Sequence, residues 1–143
     1  MLKNPNARIL GLDIGDKRVG VAINDPLGWN KAQPLKVIER IHFLNELPKI
    51  IDEYTIEQIV AGVPQGEKGE LTPQAKKTLK FIEEIKKKVS VPIVLWDETL
   101  TTYEAESILI EADVSRKKRK EISDKLAAAL ILQSYLNHES NAS

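Results

Sequence analysis

Arg8-Ile9-Leu10-Gly11-Leu12-Asp13-Ile14-Gly15-Asp16-Lys17-Arg18-Val19-Gly20-Val21-Ala22-Ile23 is the stretch on which the fold of this 143-residue chain turns. Residues 8–13 form an apolar run too short for a helix and punctuated by Gly15, which predicts a buried strand. Residues 17–23 repeat the pattern as a second strand. Gly15-Asp16 between them supplies residues that tolerate the positive φ of a hairpin turn. Asp25-Pro26-Leu27-Gly28 reads as the next turn. A third strand is predicted over 34–39, with Leu35, Val37 and Glu39 alternating against Lys36 and Ile38. Three strands joined by short turns imply an antiparallel meander.

Beyond this stretch the period changes. Leu44, Leu47, Ile50, Ile51 and Tyr54 recur at three- and four-residue spacing, which predicts a helix over 43–54 with Pro48 in its first turn, where the missing donor costs little. Residues 58–63 form a strand closed by Pro64, and 65–71 an exposed loop. Thr72-Pro73 reads as a helix start, Thr as N-cap and Pro at the first helical position. Ala75, Leu79, Ile82, Ile85 and Val89 carry its apolar face. Residues 92–96 form another strand. Thr101-Thr102-Tyr103-Glu104 is a capping box before a helix that buries Ala105, Ile108, Leu109 and Ala112. A last helix covers 120–135, and the polar tail 139–143 is expected to fray. Strands separated by helices pair in parallel through crossovers. The expectation is an α/β fold: a five-stranded mixed sheet, three antiparallel strands followed by parallel crossovers, flanked by helices, in one domain spanning 1–143.

Composition narrows the function classes. Apolar residues make up 42% and charged residues 29%, the balance of a globular domain. The absence of cysteine excludes disulfides, thiolate zinc sites, iron–sulfur clusters and a cysteine nucleophile. The longest apolar run, 126–132, has seven residues, short of the ~18 a membrane span needs. Met1-Leu2-Lys3-Asn4-Pro5-Asn6 lacks the apolar stretch of a signal peptide. These features predict a cytoplasmic protein without a membrane partner. Lys plus Arg equals Asp plus Glu, 21 against 21, yet the charges are segregated. Residues 97–113 hold six acidic side chains and no basic one, and Arg116-Lys117-Lys118-Arg119-Lys120 follows as five consecutive cations. Such a run reads either as a solvated loop or as a phosphate-contacting arm beside an acidic centre.

Carboxylates stand where burial would ordinarily exclude them. Asp13 ends a strand expected at mid-sheet, and Asp97-Glu98 follows Pro-Ile-Val-Leu-Trp at the carboxyl end of another. Asp124 precedes Ala127, Ala128 and Ile131 on the inward face of a helix. Buried carboxylates must be paired, protonated or metal-bound. Taken singly, each has a structural reading: Asp13 capping a turn, Asp97 opening an Asx-turn, Asp124 pairing with Lys120. Taken together, two strand ends and a helix can converge on the edge where open α/β sheets place their sites. Oxygen ligands without Cys, and with His42 and His138 expected elsewhere, favour Mg²⁺ or Mn²⁺. Two such ions ~3.5–4 Å apart can clamp an in-line displacement at phosphorus. The chemistry indicated is metal-assisted phosphodiester hydrolysis, with Lys17, Arg18, Arg116, Lys117, Lys118, Arg119 and Lys120 holding a nucleic-acid backbone.

Four segments carry a family resemblance. Gly-Leu-Asp-Ile-Gly-Asp-Lys-Arg-Val-Gly-Val-Ala at 11–22, Gly-Val-Pro at 62–64, Asp-Glu-Thr-Leu-Thr-Thr at 97–102 and Asp-Lys-Leu-Ala-Ala-Ala-Leu-Ile-Leu-Gln-Ser-Tyr-Leu at 124–136 resemble the YqgF/RuvX family. The resemblance implies an RNase H-like fold and a Holliday-junction-resolvase-like nuclease assigned to pre-16S rRNA processing. It places the acidic trio on Asp13, Glu98 and Asp124, as catalytic and metal-binding residues. Two departures stand out: Asp16 replaces the family's common Thr or Ser, and Gln65-Gly66-Glu67-Lys68-Gly69 replaces a Leu-Asn-Met-Asp-Gly type of loop.

Other readings remain beside the nuclease acting on structured RNA or branched DNA. One is a non-catalytic nucleic-acid-binding module of the same fold. Another is an ATPase, because Asp13-x-Gly15 before a glycine-containing strand resembles the phosphate loop of actin-like and sugar-kinase proteins. Those proteins close two domains around a nucleotide and need roughly twice this length. A junction resolvase making paired cuts works as a homodimer, whereas an rRNA trimmer can act as a monomer. The sequence leaves both states open.

Overall fold

The computed structural model describes residues 6–27, 31–64, 71–98 and 116–142, with side chains in the last segment described from 126 to 139. The first three strands are β1 (Arg8–Ile14), β2 (Arg18–Asn24) and β3 (Ala32–Glu39). Then come helix α1 (Arg40–Tyr54), β4 (Ile56–Val63), α2 (Pro73–Lys88), β5 (Ile93–Asp97) and α3 (Arg116–Ala142). They form one five-stranded sheet in the order β3-β2-β1-β4-β5. β1 pairs antiparallel with β2 and β2 with β3, while β4 lies parallel to both β1 and β5. The mixed sheet expected from the sequence is therefore the one formed, with β1 at its centre.

A central strand is covered on both faces, which is why residues 9–12 read as a continuous apolar run rather than an alternating one. On one face Leu10, Leu12, Ile14, Val19, Val21, Ile59 and Ala61 pack with Phe43, Leu47 and Ile50 of α1 and with Ala75, Phe81, Ile82 and Ile85 of α2. Burying each large side chain contributes roughly 1.5–3 kcal/mol. Thr72 caps α2 as its sequence predicts, Oγ1 accepting from the Ala75 N–H at 3.1 Å. The other face carries smaller residues: Ile9, Ala22 and Val60 lie under Ala128, Ala129, Ile131, Leu132, Tyr135 and Leu136 of α3.

Several expectations are corrected. Helix α1 begins at Arg40, so Pro48 is its ninth residue rather than part of the first turn. The strand passes directly into the helix because the Arg40 N–H donates to the Lys17 carbonyl at 2.8 Å, leaving no intervening loop. Pro48 is exposed, and its missing N–H leaves the Leu44 carbonyl without its helical donor. In β3 the core residue is Ile38, while Val37 is 42% exposed. A register shift between Val21↔Lys36 and Ala22↔Pro34 leaves Leu35 unpaired, so Leu35 and Ile38, three apart, both reach the α1 face. The basic run lies within α3, which starts at Arg116 rather than at 120 and continues to Ala142 through the tail expected to fray. The helix expected after Thr101 and the loop 65–69 lie outside the described residues. Among the described residues no helix is long and apolar enough to cross a membrane.

The seating of α3 depends on glycine. A Cβ on Gly11 would lie 2.8 Å from Leu132 Cβ and 3.0 Å from the Ala128 carbonyl oxygen, closer than real contacts allow. Glycine in a strand ordinarily weakens it relative to alanine. Here the sign is reversed: Gly11→Ala is expected to destabilise the chain by about 1–3 kcal/mol, because backbone and helix must separate. A lower urea midpoint at unchanged m-value checks this.

Candidate active site

The carboxyl ends of β1, β4 and β5 form one edge of the sheet. Asp13 lies one residue before the end of β1, and its partners in register are Gly20 on β2 and Gly62 on β4. Both strands flanking Asp13 therefore carry no side chain at its level on the α3 face. In the same row Gly62 pairs with Trp96, and Glu98 follows two residues on, its N–H donating to the Val63 carbonyl at 3.3 Å. Period-2 alternation puts Trp96 and Glu98 on the α3 face with Asp13.

Glycine shapes this space a second time. A Cβ on Gly62 would meet Ile131 Cδ1 at 2.5 Å and Glu98 Oε2 at 2.9 Å. The Glu98 carboxyl occupies the place a side chain at 62 would fill, and from there it hydrogen-bonds to Asp13. Trp96 holds β5 to α3: its Nε1 donates to Ser134 Oγ at 3.1 Å, and its ring meets Tyr135 edge-on with centroids 5.4 Å apart. The Tyr135 hydroxyl in turn accepts from Gln58 Nε2 at 3.0 Å. The strand leading into Glu98 is thus pinned to the helix above it.

The electrostatics follow from this crowding. Burial disfavours ionised Glu98, and the Asp13 charge, the Asp13 hydrogen bond and the Asp97 charge add to it, pushing its pKa from 4.5 up to about 8. Two half-buried carboxyls in contact share a proton because both cannot ionise cheaply. Asp97 stays exposed beside the pair and acts on it through charge.

Asp13 and Glu98 are thus brought together. α3 runs antiparallel to β1, since Tyr135 meets Gln58, level with Ile9, while Leu132 and Ala128 meet Gly11. Each helical turn toward its start advances about 5.4 Å, and Asp13 lies about 6.6 Å beyond Gly11. Position 124 is one helical turn before Ala128, and its side chain lies outside those described. Among the described residues no group of three His, Cys, Asp or Glu side chains has metal-binding geometry. Lys17 and Arg18 are exposed at the β1–β2 turn, on the same edge. Arg116, Lys117, Lys118, Arg119 and Lys120 form the opening turns of α3, and their side chains are likewise outside the description. His42 sits in the first turn of α1, and His138, on α3 rather than in a tail, meets the Trp96 ring in a tilted contact with centroids 5.3 Å apart.

The roles of Gly20 and Gly62 were not read from the sequence. The signal was present in Gly62-Val63-Pro64, a glycine at the end of a buried strand, which marks close approach of another group.

Comparison with known proteins places the arrangement. A family model described as "RuvX: Holliday junction resolvase" matches residues 7–138. A protein of Desulforamulus reducens named "Putative pre-16S rRNA nuclease" is 53% identical over 133 residues, covering 91% of this chain and 96% of that one. One of the same name from Thermoanaerobacter pseudethanolicus is 50% identical over 138 residues, covering 94% and 99%. Among solved structures, T. thermophilus RuvC in complex with Holliday junction substrate superposes with a TM-score of 0.55 at 16% identity, over 88% of this chain and 90% of that one. At that identity the likeness shows the shared RNase H-like fold.

The shared proton has a measurable signature. Unfolded, Glu98 titrates at 4.5, and folded it titrates at about 8. Between those values the folded chain holds a proton that the unfolded chain has released, so its contribution to stability declines from pH 4.5 to 8 and levels beyond. In metal-free buffer, Glu98→Gln is expected to flatten this decline, since the amide donates to Asp13 without ionising. At pH 8 it should be more stable than wild type by on the order of 1–3 kcal/mol. Urea melts of both proteins across the range check it.

Proposed function

We propose that this chain, which belongs to the RuvX Holliday junction resolvase family, is a metal-dependent nuclease that hydrolyses phosphodiester bonds in maturing the 5′ end of pre-16S rRNA. The observation that carries the reading is the Asp13–Glu98 carboxyl pair at the carboxyl edge of β1 and β5, flanked by glycine on both neighbouring strands. The names of the half-identical relatives support the rRNA substrate. Ribosomal RNA processing implies a cytoplasmic protein, and one catalytic domain spanning 1–143 accounts for the chemistry.

A cation fits these residues. Two carboxyls close enough to share a proton offer hard oxygen donors and repel one another once ionised, a donor set that would suit a divalent ion in place of the proton. Asp13, Glu98 and Asp124 would hold Mg²⁺ or Mn²⁺, in one or two copies. When bound, the metal supplies Lewis-acid charge at the phosphodiester and lowers the pKa of water. The chain's own residues do the rest. Gly62 leaves Glu98 its place beside Asp13, and Gly20 puts no side chain between Asp13 and a phosphate. Trp96, anchored on Ser134 and Tyr135, fixes where Glu98 stands. Lys17, Arg18 and Arg116, Lys117, Lys118, Arg119 and Lys120 hold the nucleic-acid backbone by charge without reading sequence.

The test is cleavage with Mg²⁺ or Mn²⁺ of precursor rRNA ends, four-way DNA junctions and linear controls. Asp13→Asn, Glu98→Gln and Asp124→Asn should each reduce cleavage by orders of magnitude, and the losses should not add, because the three act as a unit. Metal should raise the Tm of wild type and not of the variants. Equal stabilisation of all four proteins would overturn the metal site. Preference for junctions over rRNA ends would move the substrate to branched DNA.

The basic run gives an independent expectation. Neutralising three of residues 116–120 should weaken binding to all sequences alike and reduce the slope of log K against log[salt] by about 2–3. An unchanged slope would mean that these cations face solvent only.

A further inference from the structure

A second polar feature lies on the opposite face of the same sheet edge. Between the β1–β2 turn, the start of α1 and the outer side of α2 is a cavity of about 480 Å³, lined by Asp16, Arg40, Lys77, Lys80, Phe81 and Glu84. We propose that this cavity is a phosphate subsite that seats one nucleotide of the substrate strand beside the scissile one. The inference rests on the nuclease reading above and adds to it a place where the strand is held.

Arg40 is built for the task. Its guanidinium lies 4.2 Å over the buried Phe81 ring, and Nη1 donates to the Gly15 carbonyl at 2.9 Å. A guanidinium fixed from two sides keeps further N–H donors in a planar fork and loses little rotamer freedom when an anion arrives. Lys77 and Lys80 stand three apart on α2 and line the same cavity. Like charges at that spacing repel, and Arg40 adds a third. Among the described residues neither lysine has a carboxylate within ion-pair distance. Asp16, which accepts from Gln74 Nε2 at 3.5 Å, and Glu84 complete the charged lining. Three cations against two carboxylates leave a net charge of +1. That balance suits a single phosphate better than a broad polyanion surface. The volume falls in the range of roughly 300–1,000 Å³ that holds a small ligand, and so admits a nucleotide unit.

Location ties the cavity to the strand rather than to a remote ligand. Its wall is the turn that ends β1, closed by the Gly15 N–H donating to the Arg18 carbonyl at 2.8 Å. Asp16 is three residues beyond Asp13, about 10 Å of extended chain. Exposed Lys17 and Arg18 follow Asp16 in the same turn.

The experiment compares the full-length wild type, a Lys77→Ala/Lys80→Ala double variant and a charge-matched Lys87→Ala/Lys88→Ala control in binding a labelled single-stranded RNA in EDTA. All four lysines are exposed, so the fold should survive, and equal Tm values verify it. The cavity variant should bind about tenfold more weakly, with the salt slope reduced by about 0.7 for a lost single-strand phosphate contact. The control should change much less. Equal losses in the two variants, or no loss in either, overturn the subsite. A nucleoside monophosphate and inorganic phosphate serve as competitors. If either binds wild type as tightly as the RNA and depends on Lys77 and Lys80, the cavity takes a free ligand and the strand assignment falls. Parallel cleavage assays separate the two readings. Wild type that cleaves while the cavity variant binds normally refutes the subsite alone, and RNA bound through Lys77 and Lys80 but never cut refutes the nuclease alone.

Discussion

The close approach of helix α3 to the backbone of β1 and β4 is the constraint on which the other features depend. It exists because residues 11 and 62 have no Cβ: Leu132 and the Ala128 carbonyl occupy the space over one, Ile131 and Glu98 the space over the other. The two faces of the sheet are accordingly built differently. The α1–α2 face is filled by large branched and aromatic side chains, whereas the α3 face uses Gly and Ala to bring a helix near the strand backbone. A conventional core on both faces would be easier to stabilise. It would also set the helix farther from the end of β1 and leave Glu98 no path across β4.

That proximity concentrates charge where a stable fold would avoid it. Asp13 and Glu98 are drawn together from different strands and share a proton, with Asp97 alongside. Groups so perturbed, in a place made by glycines and braced by a Trp–Tyr–Gln chain, are what the proposed active site would require. Asp13, Asp97 and Glu98 are neighbours here, and exposed Lys17 and Arg18 sit at the turn on the same edge.

Much of the architecture was legible because burial imposes periodicity. The unbroken apolar run 9–12, the Thr72-Pro73 start and the three- and four-residue spacings of α1 and α2 each announce an element through its own residues. The misreadings have local causes. Pro48 was assigned to a first turn because proline in a helix interior is costly, yet on an exposed face the unbonded Leu44 carbonyl can be met by water. The phase of β3 was inverted because one unpaired residue, Leu35, resets alternation, and a bulge leaves no signature in a short run. Five cations look like a loop to a composition argument, but Lys and Arg are good helix formers, and α3 runs through them.

By itself the sequence determined the order and type of the described elements and the central position of β1, and it singled out Asp13, Glu98 and Asp124 as candidates. It could do so because apolar period and capping are properties of neighbouring residues. Only the tertiary structure decided that Glu98 reaches across β4 to bond Asp13, through the space that Gly62 leaves by lacking a side chain. It alone joined Arg40 to Lys77 and Lys80 around one cavity. These are relations between residues tens of positions apart, set by strand register and helix approach, and no local pattern in the chain encodes them.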